Sequence, residues 1–405
     1  MPYLKRSLET VLAQAAREFP SVVITGPRQS GKTTLLKHLF AGKIDLVSLE
    51  PPDVRAAAEA DPRGFLDLHP APVIFDEVQH APALLPYIKE RIDARRDESG
   101  QYLLTGSENL QLAQGVTESL AGRAAVLRLL PMTERELTRK PGASLPWERQ
   151  GAPRPLRDRS PRQLWTRFLR GYYPEPATSP RKNAVLWQAG YVQTYLERDV
   201  RSVRQVGDLS QFQAFLGLLA ARSAQLLDLS GLSRDLGVAV NTVKAWLSVL
   251  EATYQVIVLR PYFSNTGKRL VKTPKVYFMD VGTLCYLAGL RDPLHAMAGP
   301  MGGAIFETAV IGEVYRTLAH RGVEPRLWFW RTSTGLEVDL IVETDAGLVP
   351  LEAKRASTPN PAMAKGIEAF RRDYGERVGR GFVIHTGAGL LPLGPSVLAW
   401  PFVAL

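Results

Sequence analysis

The sequence is poor in cysteine and contains no long apolar run. Cys285 is the only cysteine among the 405 residues, and a single thiol excludes both a disulfide framework within the chain and a cysteine-based zinc site. The chain has no stretch of about 18 apolar residues, which a membrane-spanning helix requires. Its first residues do not form an apolar signal region. The sequence therefore predicts a protein of the reducing cytoplasm that spans no membrane.

Histidine is also scarce, and acidic residues are outnumbered by basic ones. The six histidines are scattered without an H-E-x-x-H pattern, so none is assigned to a metal site. Lysine and arginine number 50 against 40 aspartates and glutamates, which gives a net charge of +10. This excess favours a polyanionic partner without requiring one, since soluble proteins can be basic for no functional reason. The length of the chain predicts two or three domains.

The first third of the chain alternates short apolar runs with longer amphipathic ones. The apolar runs are rich in valine, isoleucine and leucine and are nearly continuous, as is typical of parallel strands covered on both faces. Five strands are predicted, at Ser21–Thr25, Asp45–Leu49, Pro72–Phe75, Gln101–Thr105 and Ala125–Leu130. They predict an α/β domain around a parallel sheet.

A glycine-rich loop follows the first of these strands. It reads Gly26-Pro27-Arg28-Gln29-Ser30-Gly31-Lys32-Thr33, which fits the pattern G-x-x-x-x-G-K-[ST] between a strand and a helix. The glycines allow backbone N–H groups to surround phosphates, and the helix N-terminus adds positive potential. Lys32 would reach the β- and γ-phosphates, and the Thr33 hydroxyl would ligate Mg²⁺. With Thr34, this loop is the predicted binding site for ATP and Mg²⁺.

An acidic pair downstream supports this interpretation. The apolar run that begins at Val73 ends in Asp76 and Glu77. Asp76 is placed to hold Mg²⁺, and Glu77 is placed to polarise the attacking water. The alternative is a strand that merely ends in a solvated acidic turn. With the glycine-rich loop upstream, the pair predicts ATP hydrolysis.

Two further positions suit an oligomeric ATPase. The strand that ends in Thr105-Gly106-Ser107 could present a polar side chain, such as that of Ser107, to the γ-phosphate. Arg123 lies just before the strand Ala125–Leu130, where an arginine of a ring-forming ATPase can reach the γ-phosphate of a neighbouring subunit. The alternative for Arg123 is a cation that only interacts with a helix C-terminus. The pattern does not choose between the two.

Residues 139–182 have a different composition. They contain eleven lysines and arginines against three acidic residues, with many prolines. This composition predicts a surface linker or an ordered strap. A solvated connector without any partner is the alternative.

The middle of the chain has the outline of a winged helix. Helices are predicted at Leu229–Leu236 and Asn241–Ala252, followed by two strands joined by a basic tip. The exposed start of the second helix and the tip would contact DNA through Asn241, Thr242, Lys244, Lys268, Arg269 and Lys272. The alternative is a helical lid or a protein-interaction surface whose basic residues lie in water.

The last hundred residues combine carboxylates with a lysine. A helix, three strands, a second helix and a fourth strand are predicted. Asp339 lies on the second strand, Glu352 and Lys354 share one face of the third, and Glu307 lies on the preceding helix. Carboxylates are suitable ligands for Mg²⁺, and the metal could activate water beside a phosphodiester. A surface salt bridge and a nuclease-like fold kept only for binding are the alternatives.

Several stretches resemble a prokaryotic family of AAA-type ATPases in which a domain with a restriction-endonuclease-like (PD-(D/E)xK) fold follows the ATPase. The resemblance covers nearly the whole chain apart from an insert at 139–165, and it implies an architecture more than a biological role. It is carried by Gly26–Gln29, Asp76–Gln79, Thr105–Ser107, Ser119–Arg123, Tyr195–Val200, Gly267–Leu270 and Glu337–Asp339.

These observations predict four segments: an AAA-type P-loop ATPase domain (1–138), a basic strap (139–182), a helical and winged-helix module (183–290) and a restriction-endonuclease-like α/β domain (291–405). The predicted protein hydrolyses ATP and acts on DNA, and its C-terminal carboxylates either cut or only bind. One alternative is an ATP-controlled regulator that binds DNA or protein through an inactive nuclease-like domain. Another is a nucleotide-driven scaffold that touches no nucleic acid. A homo-oligomer assembled through the ATPase domain is also expected.

Overall fold

The computed structural model describes residues 3–106, 119–149, 160–196, 209–263 and 272–405, which form two compact units. The first unit extends to Met132 and also includes Ala252–Tyr254 and Thr317–Val323. The second contains Thr133–Glu251, Gln255–Arg316 and Glu324–Leu405. None of the helices described is both long and apolar enough to cross a membrane.

The first unit is built on a five-stranded parallel sheet. Its strands are β1 (Ser21–Thr25), β2 (Asp45–Ser48), β3 (Val73–Asp76), β4 (Tyr102–Gly106) and β5 (Ala124–Arg128), in the order β2-β3-β4-β1-β5. Its helices are α1 (Leu8–Glu18), α2 (Lys32–Phe40), α3 (Pro52–Ala60), α4 (Pro62–Leu68) and α5 (Leu84–Ala94), with a 3-10 turn at Val78–His80. The prediction of a parallel sheet and its five strands is confirmed.

Both faces of this sheet are buried. Successive side chains of a strand point to opposite faces, so Val23 packs with Phe75 and Leu104, whereas Val22 and Ile24 pack on the other side. Helices α1 and α2 contribute to the second of these layers. The two apolar layers explain why the strands are continuous apolar runs rather than alternating ones.

The described chain beyond Met132 contains helices both before and between its strands. They are α6 (Glu134–Leu137), α7 (Pro161–Arg170), α8 (Pro174–Thr178), α9 (Ala184–Tyr191), α10 (Leu209–Ala221), α11 (Leu229–Leu236), α12 (Val240–Ala252), α13 (Val281–Leu287), α14 (Pro293–Ala298), α15 (Gly302–His320) and α16 (Lys365–Tyr374). A π-helical turn spans Val192–Leu196, and 3-10 turns occupy Pro146–Glu148, Pro361–Ala364, Gly375–Arg377 and Phe402–Ala404.

An eight-stranded mixed sheet forms the core of the second unit. Its strands are β6 (Val256–Pro261), β7 (Lys275–Phe278), β8 (Leu327–Arg331), β9 (Glu337–Thr344), β10 (Gly347–Lys354), β11 (Gly381–His385), β12 (Leu391–Gly394) and β13 (Val397–Pro401), in the order β12-β13-β11-β10-β9-β8-β6-β7. Strands β8, β9 and β10 are antiparallel, and β11 returns parallel to β10 after α16. The predicted order of helix, three strands, helix and strand is therefore observed.

Two features of the second unit refine the predictions. A surface linker or an ordered strap was predicted over 139–182, and its second half is an ordered segment with a buried face, in which α7 buries Trp165 and Phe168 and contacts α13 and α14. Prolines 161 and 174 occupy the first turns of α7 and α8, where a missing N–H costs no hydrogen bond. The hairpin predicted as a wing exists as β6 and β7, but β6 also pairs with β8. The hairpin therefore forms one edge of the eight-stranded sheet, whose other strands belong to the predicted C-terminal domain.

Candidate functional site

The glycine-rich loop connects the carboxyl end of β1 to α2. Gly26 has a φ of +144°, and a Cβ atom there would lie 2.0 Å from the Leu129 carbonyl oxygen. Gly31 has a φ of +97° immediately before α2 begins at Lys32. Only glycine fits these two positions without displacing the backbone. The loop residues therefore take the positions that the phosphate-binding pattern predicts.

Lys32 and Arg6 hold the loop from inside. The Lys32 ammonium is buried and donates to the carbonyl oxygens of Gly26 at 3.0 Å and Pro27 at 3.2 Å. The buried Arg6 guanidinium donates to the carbonyl oxygens of Ser30 and Leu130, both at 2.8 Å. Nothing local in the sequence marks Arg6 as a support for the loop, because it precedes α1 outside any motif.

Asp76 lies beside Thr33 at the carboxyl edge of the sheet. The Thr33 hydroxyl lies 2.9 Å from one carboxylate oxygen of Asp76 and 3.0 Å from the other. A hydroxyl and a carboxylate from these two elements are the oxygen ligands that Mg²⁺ prefers beside a nucleotide. The residues predicted to share a metal ion are therefore adjacent.

Thr105 connects the two acidic residues. Strands β3 and β4 are neighbours, and their register sets Phe75 opposite Leu104 and so places Asp76 next to Thr105. The Thr105 hydroxyl donates to Asp76 at 2.6 Å and accepts from the Glu77 N–H at 3.0 Å. The polar side chain predicted to reach the γ-phosphate from the end of this strand was that of Ser107, which lies outside the described residues.

Glu77 has an unusual backbone conformation. Its φ is 59° and its ψ is 50°, in the left-handed region that residues with a side chain rarely adopt. The Gln79 side-chain amide donates to its carboxylate. Strained backbone at the residue predicted to polarise water is consistent with a functional position, since such strain persists where the surroundings enforce it.

Arg123 lies at the amino ends of the strands, and the glycine-rich loop lies at their carboxyl ends. The Arg123 carbonyl accepts a hydrogen bond of 3.2 Å from the N–H of Ser21, the first residue of β1. The glycine-rich loop follows Thr25, the last residue of the same strand. The Arg123 guanidinium forms a bidentate ion pair with Asp93, with distances of 2.6 and 2.9 Å. The hydrogen bond from Arg123 lowers the pKa of Asp93. Arg123 is thus directed away from the nucleotide site of its own chain.

In the second unit, the predicted carboxylates line one cavity of about 730 Å³. Asp339 lies on β9 and Glu352 on β10, one step beyond the paired residues Leu340 and Leu351. The cavity is lined by Ala224, Gln225, Leu226, Lys275, Glu307, Arg331, Gly335, Leu336, Glu337, Asp339, Glu352, Lys354, Ala362, Met363, Lys365 and Gly366. The structure thus brings Glu307, Asp339, Glu352 and Lys354 together.

Asp339 and Glu352 are held differently. Asp339 accepts from the Ala353 N–H at 2.9 Å. One oxygen of Glu352 accepts from the Lys354 ammonium, and the other is buried without a hydrogen-bond partner. Burial raises the pKa of Glu352 well above its usual value, and the negative charge of Asp339 raises it further. A divalent cation beside these two side chains would satisfy the unpaired oxygen and relieve their repulsion.

Glu307 has partners that the sequence did not suggest. It accepts from the Lys275 ammonium at 2.9 Å and from the Tyr277 hydroxyl at 2.6 Å. Burial, followed by the charge of Asp339, raises the pKa of Glu307 to about 7. Within the described part of the chain, no group of three or more His, Cys, Asp or Glu side chains is arranged to hold a metal ion. Asp339 and Glu352 fit a metal, but Glu307 is engaged by Lys275.

The residues predicted to contact DNA are partly described. Helices α11 and α12 are joined by a short turn at Gly237, whose φ is +65°. Asn241 and Lys244 are exposed at the start of α12, Thr242 is half-buried, and Lys272 is exposed. Lys268 and Arg269 lie outside the described residues.

Comparisons with known protein families divide the chain in three. Residues 18–138 match the AAA domain, and residues 161–294 and 302–405 match two domains of unknown function (DUF8612 and DUF4143). The AAA match spans the sheet and the glycine-rich loop described above.

Two relatives and two solved structures are similar over most of the chain. Uncharacterized proteins of Mycobacterium bovis and Mycobacterium tuberculosis are each 31% identical over 399 residues, or 98% of this chain and 83% of theirs. The Walker-type ATPase PABY2304 of Pyrococcus abyssi is 16% identical with a TM-score of 0.42, over 69% of this chain and 94% of its own. The RuvB Holliday junction branch migration motor of Thermotoga maritima is 16% identical with a TM-score of 0.30, over 63% and 90%. Neither structural similarity is close enough to bear on function.

The identity and coverage of the mycobacterial relatives define the family. The AAA match agrees with the parallel sheet, the loop around Lys32 and the adjacent Thr33 and Asp76. The chain therefore belongs to the same family as these two mycobacterial proteins, and its first unit is an AAA-type P-loop ATPase domain.

Proposed function

We propose that this protein uses ATP hydrolysis in its AAA-type domain to control action on DNA by the remainder of the chain. We further propose that the carboxylate cavity of the second unit is a metal-dependent nuclease-like centre. The observation that carries this proposal is the convergence of Asp339, Glu352 and Lys354 on one cavity. These are the residue types that bind a metal ion and position water beside a phosphodiester.

In the ATPase domain, each residue of the proposed site has a defined task. The backbone of the loop and Lys32 would bind the phosphates, and Thr33 and Asp76 would hold Mg²⁺. Magnesium, when bound, supplies charge neutralisation at the phosphates. Glu77 would orient and polarise the attacking water. Thr105 supports both acids, since its hydroxyl bonds Asp76 and the Glu77 N–H.

In the second unit, Asp339 and Glu352 would hold Mg²⁺ or Mn²⁺. The metal, when bound, supplies an activated water and a positive charge beside the scissile phosphate. Lys354 contacts Glu352 and is partly exposed to the cavity, so it can orient the nucleophile. Asn241, Thr242, Lys244, Lys268, Arg269 and Lys272 are the proposed DNA contacts.

A second candidate is an ATP-controlled regulator whose nuclease-like domain binds DNA or protein without cutting. The observation that favours it is the ion pair of Lys275 with Glu307 and Glu337, which occupies part of the acidic cluster. Both candidates require ATP turnover, but only the first cleaves a phosphodiester.

The test is to incubate the purified chain with ATP, Mg²⁺ or Mn²⁺, and supercoiled, linear, single-stranded and branched DNA. Phosphate release and strand scission are followed in the same samples. We expect Lys32→Ala and Glu77→Gln to abolish phosphate release. We expect Asp339→Ala and Lys354→Ala to abolish scission and leave ATP turnover intact, because the two sites lie in separate units. No scission by the wild type, or equal scission by Asp339→Ala, would remove the nuclease proposal and favour the regulator.

A further inference from the structure

Lys275 reaches the carboxylate cavity from a strand that carries none of the predicted site residues. Asp339, Glu352 and Lys354 lie on β9 and β10, and Glu307 lies on α15. Lys275 is the first residue of β7, at the far edge of the sheet. Its side chain is only 4% exposed, yet it lines the cavity. A lysine so deeply buried requires opposite charges around it.

Those opposite charges are carboxylates of the cavity. The Lys275 ammonium contacts Glu307 at 2.9 Å and also pairs with Glu337. Two carboxylates at ion-pair distance stabilise the charged form of the ammonium. Lys275 therefore places a positive charge within the acidic cluster.

Two other cations that pair with carboxylates of the cluster are less buried. Lys354 pairs with Glu352 and has a side chain that is 35% exposed. Arg331 pairs with Glu337 at 3.2 Å and is 37% exposed. Solvent screens these two charges more strongly than that of Lys275. Lys275 is therefore the most deeply buried of these three cations.

The backbone around Lys275 is held on both sides. In β7, Lys275 is opposite Leu259 of β6, and it also forms a bridge with Leu226 in the turn after α10. The N–H groups of Ala224 and Leu227 donate to the carbonyl oxygens of Val276 and Pro274, both at 2.8 Å. The ammonium lies 5.7 Å from the centre of the Phe329 ring. The side chain is thus positioned by its strand rather than drawn in by the carboxylates alone.

We propose that Lys275 is a built-in cation of the carboxylate site, which neutralises Glu307 and Glu337 in place of a metal ion and lowers the affinity of the site for divalent cations. This inference rests on the metal site of the proposed function. A metal held by Asp339 and Glu352 would be repelled by the Lys275 ammonium, and Glu307 would join its ligands only after leaving Lys275. Lys275 is a positioning residue here, since it acts through the carboxylates.

The test measures Mn²⁺ binding to the full chain without nucleotide, by calorimetry and by the paramagnetic resonance signal of free Mn²⁺. We expect Lys275→Met to bind Mn²⁺ at least about tenfold more tightly than the wild type, because an opposing charge inside a buried site is removed. Lys275→Arg keeps the charge and should keep an affinity within about threefold of the wild type. Asp339→Asn in either background should abolish the binding, which assigns it to this site rather than to the glycine-rich loop.

A second variant controls for the possibility that the Lys275→Met protein does not fold. Removing Lys275 alone leaves Glu337 buried with less compensation, whereas Lys275→Met with Glu337→Gln removes both partners of one ion pair. The double variant should unfold at a temperature close to that of the wild type and should still bind Mn²⁺ more tightly.

Three results would overturn the inference: unchanged or weaker Mn²⁺ binding in both the single and the double variant, binding that persists after Asp339→Asn, and no binding in any variant. Tighter binding without strand scission would support the inference and would remove only the proposed cleavage. The two proposals therefore fail in distinguishable ways.

Discussion

The hydroxyl of Thr105 contacts both acids of the ATPase site. It donates to the Asp76 carboxylate and accepts from the Glu77 N–H. Because Glu77 has left-handed backbone angles, its orientation depends on such contacts. Under the proposed function, Thr105 would support catalysis by holding both acids in place.

We predict that Thr105→Val slows ATP turnover by about 10- to 100-fold, the usual range for loss of a supporting contact to a metal ligand. Valine has the same shape as threonine and lacks the hydroxyl, so both hydrogen bonds are lost and the fold is retained. Nucleotide affinity should change little, because Lys32 and the loop are untouched. The measurement is steady-state phosphate release together with binding of a fluorescent ATP analogue.

Thr105→Ser is the matched control, since it keeps the hydroxyl and loses only a methyl group. It should turn over ATP within a few-fold of the wild type. Equal rates for the valine and serine variants would show that the hydroxyl has no part in catalysis.

In the second unit, the helices proposed to bind DNA are connected to the cavity proposed to cleave it. The turn after α10, which leads into α11 and α12, is hydrogen-bonded to β7. Strand β7 in turn carries Lys275 into the carboxylate cavity. The helices proposed to contact DNA and the cavity proposed to cut it are thus joined through one strand.

We predict that the start of α12 contributes phosphate contacts to DNA binding. The logarithm of the association constant should fall as the logarithm of salt concentration rises, by about 0.9 for each duplex phosphate neutralised. Lys244→Ala should reduce this slope by about 0.9, and replacement of Lys268, Arg269 and Lys272 together should reduce it further. Fluorescence anisotropy of a labelled duplex across a salt series gives the slope.

Lys43→Ala provides the control, because Lys43 is an exposed lysine in the other unit and carries the same charge. Its slope should equal that of the wild type. If the variants at 244 and 268–272 also keep the wild-type slope, the DNA contacts lie elsewhere, most simply on the basic segment 139–182. No binding even at low salt would favour a scaffold that touches no nucleic acid.

At the scale of the whole chain, Arg123 and the glycine-rich loop lie at opposite ends of the strands of one sheet. Arg123 is paired with Asp93 of its own chain. This arrangement suits an arginine that acts on the nucleotide of a neighbouring subunit and leaves Asp93 to do so.

We predict that Arg123→Ala binds ATP normally and turns it over slowly. Mixing it in equal amounts with Lys32→Ala should restore activity to about a quarter of the wild-type rate, since about one subunit interface in four then combines an intact loop with an intact arginine. The measurement is phosphate release after the two proteins have exchanged subunits.

A mixture of Lys32→Ala with Glu77→Gln is the control, because both residues serve the same site and no interface regains them together. Activity that stays at the average of the two separate variants in both mixtures would count against the action of Arg123 on a neighbouring subunit.

Local patterns in the sequence were sufficient to predict most of the strands and the loop of the ATPase domain. The continuous apolar runs predicted all five strands of the first sheet, and Gly26 and Gly31 marked backbone angles that only the loop geometry requires. The spacing of Glu352 and Lys354 also predicted one face of one strand. These features depend on residues a few positions apart, whose relative placement is set by the geometry of a helix, strand or turn.

Contacts between distant residues were decided by tertiary structure alone. Arg6 reaches Leu130, and Lys275 reaches Glu307 and Glu337, across separations that no periodicity records. Prolines and arginines in 139–182 suggested a linker, yet Trp165 and Phe168 are buried because α7 meets helices more than a hundred residues later in the chain. Sheet order and register bring such groups together, and both depend on the packing of the whole unit rather than on any one segment.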